Sequence, residues 1–410
     1  MFFISWLVLK ELVDIVLGYI NLKFSTSKDR RIPTQLESII TKDRFELSLA
    51  YLKDRTLFGI GSGIFELLLT LLILLTIAPR LEVCVKYITS SSIKQGLLFF
   101  GIIFLINFVL TLPFSLHENF RIEAKYGFNK ITYKLFFIDS IKSLLITCLL
   151  GGLFLTGILT ILKNNTIWWW QLSLTSCLFL IVAMWLFPVI LLPLFNKFKP
   201  LEEGELKEAI VDFTSSHKIS IKKIFVMDAS TRTSHGNAFL TGMGFSRRLV
   251  LFDTILNYPK EEILSIIAHE WGHHKHHDIY KQLFTSIITF IAILFLSNQL
   301  FISGFLQQSF SIEAPYSLLY ASFIMISPIL FYLSPITNYL IRKEEYSADL
   351  FSLLMTRDLD PAVNSLKRLI RDNLSNLNPH PIYRIFNYSH PAPEERIQFL
   401  LQKAKENNIS

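Results

Sequence analysis

The chain has 410 residues, of which 51% are hydrophobic, 36 are phenylalanine and only 18% are charged. That mixture excludes an ordinary soluble domain, which could neither bury nor expose so much apolar surface, and points to a protein that crosses a membrane several times. The formal net charge of +7 is modest, and the basic residues sit between apolar runs rather than on a soluble face, so nucleic-acid binding is set aside.

Seven stretches are long enough to span a bilayer: 2–22, 57–78, 96–116, 143–163, 171–195, 283–303 and 317–341. Lys10, Glu11 and Asp14 interrupt the first, and no small-residue cleavage site follows it, so it is not read as a removable signal peptide. Glu66 lies inside the second, where a carboxylate faces a chamber or finds a partner. Cys84, Cys148 and Cys177 show neither disulfide nor metal spacing. The segment 23–56 carries Lys23, Lys28, Arg30, Arg31, Lys42, Arg44, Lys53 and Arg55, and 117–142 adds Arg121, Lys125, Lys130, Lys134 and Lys142. On the opposite side, 79–95 has Arg80, Lys86 and Lys94, while 164–170 and 304–316 have no basic residue. The positive-inside rule then sets the N-terminus outside and the C-terminus in the cytoplasm, in agreement with seven spans.

After the fifth span the pattern changes from membrane to protein chemistry. Lys223–Asp228 and Arg248–Phe252 read as a strand pair, a small β-hairpin flanking Ser234-His235-Gly236-Asn237-Ala238-Phe239. A strand edge there can hold a peptide extended, with Asn237 offering its amide and Ala238 a carbonyl or N–H. A helix is expected from Pro259 to Tyr280, and within it His269-Glu270-Trp271-Gly272-His273 spells H-E-x-x-H. Histidines at i and i+4 share a helix face and can bind one Zn²⁺, with Glu270 beside them as base to a bound water. His274, His276 and His277 do not complete such a pair. The ligand helix is expected to run on into span six. Span seven returns antiparallel to the same membrane face, where Glu345 fits as third ligand and Asp349, one turn later, as acceptor for a ligand imidazole; Glu344 competes with Glu345. The division expected is a membrane region at 1–200, a protease segment at 201–282, two further spans at 283–341 and the rest of the protease domain at 342–410. A non-catalytic transporter or receptor with a structural zinc is the contrasting possibility, and Glu270 speaks against it, since a structural site needs no base.

Further matches run along most of the chain: Leu112-Pro113-Phe114-Ser115-Leu116, Phe120-Arg121-Ile122-Glu123, Tyr126-Gly127-Phe128-Asn129-Lys130, Pro193-Leu194-Phe195-Asn196-Lys197-Phe198, Ser234-His235-Gly236-Asn237-Ala238, Leu251-Phe252-Asp253-Thr254, Asn373-Leu374-Ser375-Asn376-Leu377 and Tyr388-Ser389-His390-Pro391 with Glu395-Arg396. With these the chain resembles the type I CAAX prenyl endopeptidases, multi-spanning membrane zinc metalloproteases of the a-factor-converting type. The resemblance implies a mainly α fold, seven transmembrane helices enclosing a water-filled chamber capped by the zinc domain. It implies that His269, His273 and Glu345 hold one Zn²⁺, Glu270 is the base, His390 stabilises the oxyanion, Arg396 orders the ligand carboxylate, and Asn237 and Ala238 hold the substrate strand. Trp271 departs from the family's common leucine at a non-ligating position. The implied partners are a peptide or protein substrate, lipidated in one reading, and membrane lipid. A second reading is a bacterial quality-control protease of the same fold, and the absence of an ER-retrieval signal at Glu406–Ser410 favours a bacterial inner membrane over the ER membrane.

Overall fold

The computed structural model describes residues 2–164, 168–217, 219, 223–241 and 248–409. Residues 165–167, in the short loop expected between spans four and five, lie outside them. In hydrocarbon each backbone polar group must be satisfied within its own segment, so the apolar runs fold as helices. These are α1 (Phe2–Ser25), α2 (Lys42–Leu72), α3 (Ala78–Ile88), α4 (Ser92–His117), α5 (Tyr133–Ile146), α6 (Gly152–Asn164), α7 (Trp168–Leu186) and α8 (Leu192–Phe195). Turns of π-helix at Ile73–Ile77, Thr147–Gly151 and Phe187–Leu191 join α2 to α3, α5 to α6 and α7 to α8 without ending a span.

The remaining elements are β1 (Phe198–Pro200), α9 (Glu205–Ser216), β2 (Ile224–Met227), β3 (Ala238–Thr241), β4 (Arg248–Phe252), α10 (Lys260–Lys275), α11 (Asp278–Ile302), α12 (Phe305–Phe310), α13 (Pro315–Thr356), α14 (Leu359–Asp372), α15 (Pro381–Asn387) and α16 (Pro393–Glu406). Among the described residues six helical stretches are long and apolar enough to cross a membrane: Lys42–Ile88, Ser92–Glu123, Tyr133–Lys163, Trp168–Phe195, Asp278–Ile302 and Pro315–Thr356. They correspond to six of the seven expected spans, and the protein is a multi-pass membrane protein. The seventh helix, α1, has 24 residues, but its apolar run is broken where Lys10 bridges Glu11 and Asp14 at 3.2 and 3.6 Å.

The most apolar window of α13 is 44% buried, against 17% or less in the other five stretches, so α13 is the central helix. Its 42 residues extend about 63 Å at 1.5 Å per residue, twice a bilayer core, so it crosses the membrane and still protrudes into the protease region. Phe99, Leu172, Leu294 and Tyr316 knit α4, α7, α11 and α13 into the membrane core.

The loops alternate between two ends. At one, Arg44 donates to the carbonyls of Arg371 and Asp372 at 3.0 and 3.1 Å, and the Lys130 amide donates to Arg232 O at 3.1 Å. This gathers 23–56, 117–142 and the protease segments. At the other end the buried Glu82 accepts from the amides of Glu313 and Ala314 at 3.1 and 3.0 Å, joining the sparsely basic loops.

The expected strand pair is present in a larger context. The sheet has four strands in the order β1-β2-β4-β3. The two strands expected to flank a hairpin, β2 and β4, are parallel neighbours, and the antiparallel partner of β4 is β3, with Ala238 opposite Leu251. Leu249, Leu251 and Ile255 pack on Ile263 and Ile267 of α10, each fully buried aliphatic contributing about 1.5–3 kcal/mol. That packing lays the edge strand β3 beside the H-E-x-x-H helix.

Candidate metal centre and active site

Gly272 decides how closely the two principal helices approach. A Cβ on it would lie 2.9 Å from the Ala348 Cα, so α10 and α13 cross with their backbones nearly touching. Glu345 and Asp349 flank Ala348 on α13 and are thereby brought against the histidines of α10. His269 Nε2 and His273 Nε2 are 3.1 Å apart, and the Glu345 oxygens lie 3.6 and 3.5 Å from them. Glu344 points elsewhere, accepting from Gln282 of α11 at 2.7 Å.

Each imidazole has a carboxylate behind it. His269 Nδ1 lies 2.9 Å from Asp349, and His273 Nδ1 is 3.0 Å from Asp278 Oδ2. With protons on the Nδ1 atoms, two Nε2 lone pairs face each other across 3.1 Å beside the buried Glu345 carboxylate. Those donors repel one another unless a cation or proton lies between them. A tetrahedral ion with bonds of ~2.0–2.1 Å needs donors about 3.3 Å apart, and the observed separations of 3.1, 3.5 and 3.6 Å bracket that value. The three residues fit a metal ion. Burial opposes a charge on His269, but the carboxylates of Asp349 and Glu345 outweigh it and raise its pKa to about 9. For His273, too, burial works against protonation and the Glu345 carboxylate overcomes it.

Two corrections to the sequence reading arise here. The ligand helix does not run into span six: α10 ends at Lys275, His277 adopts a left-handed conformation with φ 61°, and α11 starts at Asp278. The break turns the buried Asp278 side chain back to His273, and Lys281 holds its other oxygen at 2.8 Å. Asp278 is the site residue that sequence reasoning missed; the signal was an acid just past a His-His step at a helix junction. Pro259 also sits one position before the helix rather than in its first turn.

Glu270 is half-buried, and that burial raises its pKa; it accepts a hydrogen bond from the backbone of Leu240 on β3. From the C-terminal region, His390 Nδ1 lies 3.0 Å from Glu345 Oε2 on a largely exposed side chain. Arg396 grips Asp349 with two hydrogen bonds of 2.8 and 2.6 Å. A cavity of about 390 Å³ is lined by Asn237, Ala238, His269, Glu270, Glu345 and His390 together with Arg396 and Asp349. Asn237 Oδ1 accepts from the Ala238 amide at 2.9 Å and its carbonyl accepts from Phe252. Gly236 passes where a Cβ would meet Ile255 at 2.9 Å. The structure therefore gathers the expected site residues around one cavity, except His273, which lines a neighbouring cavity together with Glu270, Glu345 and His390.

Comparison with known proteins gives a consistent picture. Residues 22–197 match the family model described as the CAAX prenyl protease N-terminal, five membrane helices. Residues 200–404 match peptidase family M48. The chain is 33% identical to a CAAX prenyl protease 1 homolog of Oryza sativa, over 90% of each chain. It is 31% identical to CAAX prenyl protease 1 of Saccharomyces cerevisiae, covering 92% of this chain and 90% of that one. The crystal structure of Ste24p from S. mikatae superposes with a TM-score of 0.87 over 97% of both chains, at 31% identity.

Proposed function

The chain belongs to peptidase family M48, among the CAAX prenyl proteases, and from that premise we propose that this membrane endopeptidase uses one Zn²⁺ to remove the residues that follow a prenylated cysteine. The observation that carries the reading is the convergence of His269, His273 and Glu345 with a half-buried Glu270 beside an edge strand. A receptor or transporter with a purely structural metal has no use for that base.

His269, His273 and Glu345 would hold the Zn²⁺, and Asp349 and Asp278 keep the ring protons on Nδ1 so that both Nε2 atoms face inward. Bound there, the ion polarises a scissile carbonyl and acidifies water. Glu270 takes the proton of the attacking water and passes it to the leaving amine. Its burial favours the first of these transfers, because a carboxylate with a raised pKa is a stronger base towards the attacking water. The backbone of β3 holds the substrate extended by strand addition, with Asn237 and Ala238 at the scissile bond. His390 donates to the oxyanion of the tetrahedral adduct, while Arg396 fixes Asp349 and through it His269.

The protease segments 201–282 and 342–410 act as one catalytic unit over helices that enclose a chamber. The basic loops put that unit on the cytoplasmic side, with the N-terminus outside. A quality-control protease acting on unlipidated chains is the competing substrate reading. Purified, zinc-loaded protein in detergent should cleave a farnesylated CAAX peptide faster than the same peptide without the lipid; equal rates would favour the competing substrate.

A further inference from the structure

The cavity that holds the metal site adjoins a second, more polar one of about 520 Å³, since His235 and Asn373 line both. It lies between α1, α2 and the segment from Asn373 to Tyr388, and the reaction derived above makes no use of it. A chain of polar contacts runs along its wall. His235 Nδ1 is 3.0 Å from Asn373 Oδ1 and its Nε2 is 3.7 Å from Glu123. Glu123 accepts from Tyr51 Oη at 2.7 Å, and Tyr51 Oη accepts from Arg55 at 3.2 Å. Hydrogen bonding to Glu123 outweighs burial and raises the pKa of His235, so both bases on this wall tend to carry positive charge.

Arg55 differs from three of the protein's inward arginines. Arg232, Arg368 and Arg396 each grip one carboxylate through two nitrogens of the guanidinium fork. Among the described residues Arg55 has a single carboxylate contact, 3.4 Å to Glu118, and its side chain is 53% exposed. The acids sharing the cavity, Glu11 and Asp14, are already paired with Lys10. A guanidinium with free donors in a half-enclosed polar space is suited to a planar anion.

Strand geometry gives the direction from which that anion arrives. β3 runs from Ala238 to Thr241 as an edge strand. A peptide adding antiparallel to it, the slightly stronger pairing, sends its C-terminal end past Asn237 and Gly236 to His235. We propose that this second cavity is a subsite for the free α-carboxylate of a short C-terminal peptide segment, with His235 at its threshold and Arg55 taking the carboxylate. Three residues beyond the scissile bond extend about 10 Å, which suits a carboxylate bound just outside the catalytic cavity. The proposal rests on the endopeptidase reading and adds why a tail ending close to the cut is preferred.

The test compares two farnesylated peptides of the same sequence, one ending in a carboxylate and one in an amide, using zinc-loaded full-length protein. The free acid should be favoured about 10- to 100-fold in kcat/KM, the range of a charge-assisted hydrogen-bonded contact. Arg55→Gln should bring that ratio towards one, and Arg55→Lys should restore part of it. Equal cleavage of acid and amide by the unmodified protein, or an unchanged ratio in Arg55→Gln, overturns the subsite and leaves the protease reading standing. Cleavage of neither peptide would sink both.

Discussion

At the residue scale, the most informative contact is the one between Asp278 and His273. The H-E-x-x-H spacing is local, so His269, Glu270 and His273 were legible from five consecutive letters. Glu345 needed one further step, the return of a span to the same face, and even then Glu344 stayed open until the structure turned it towards Gln282. Asp278 was not legible, because its direction depends on the left-handed turn at His277, and a helix assumed continuous hides that turn. If Asp278 orients His273, Asp278→Asn should weaken zinc affinity about 10- to 100-fold while leaving His269 and Glu345 in place. Competition with a chelator measures it; unchanged affinity would assign Asp278 to the α11 N-terminus alone.

At the scale of elements, the site is a crossing of α10 and α13 supported from one side by a sheet edge. Apolar length sufficed to find the spans, and the β-rich segments at 224–227 and 248–252 were visible as strands. Their parallel pairing was not, because β1 is three residues long and the order β1-β2-β4-β3 inserts β4 between strands that precede it in the chain. The crossing itself turns on Gly272, since an added methyl would be 2.9 Å from backbone that cannot swing aside. Gly272→Ala should therefore cost on the order of 1–3 kcal/mol and reduce metal content as well, because separating the helices moves Glu345 from the histidines. Thermal unfolding with metal analysis reads both effects, and a variant with full zinc and unchanged stability would show that the crossing tolerates side chains.

At the scale of the whole molecule, α13 joins membrane to chemistry: one helix crosses the bilayer and presents Glu345 and Asp349 beyond it. The alternation of loops between two ends was legible from charge, and hydrogen bonds across each end follow the same partition. The charge of α1 was equally visible in the sequence, but the pairing of Lys10 with Glu11 and Asp14 that accommodates it needed the fold. If the protease unit faces the cytoplasm, as proposed, a reporter fused to the C-terminus should be active only when it is of the cytosolic type; activity of an exported-type reporter would reverse the orientation. The most direct test of the central claim is peptide hydrolysis by Glu270→Gln measured alongside its zinc content. The account predicts full zinc with hydrolysis lost, because the three metal-binding side chains are untouched and only the base is removed. Wild-type hydrolysis at wild-type zinc content would contradict it.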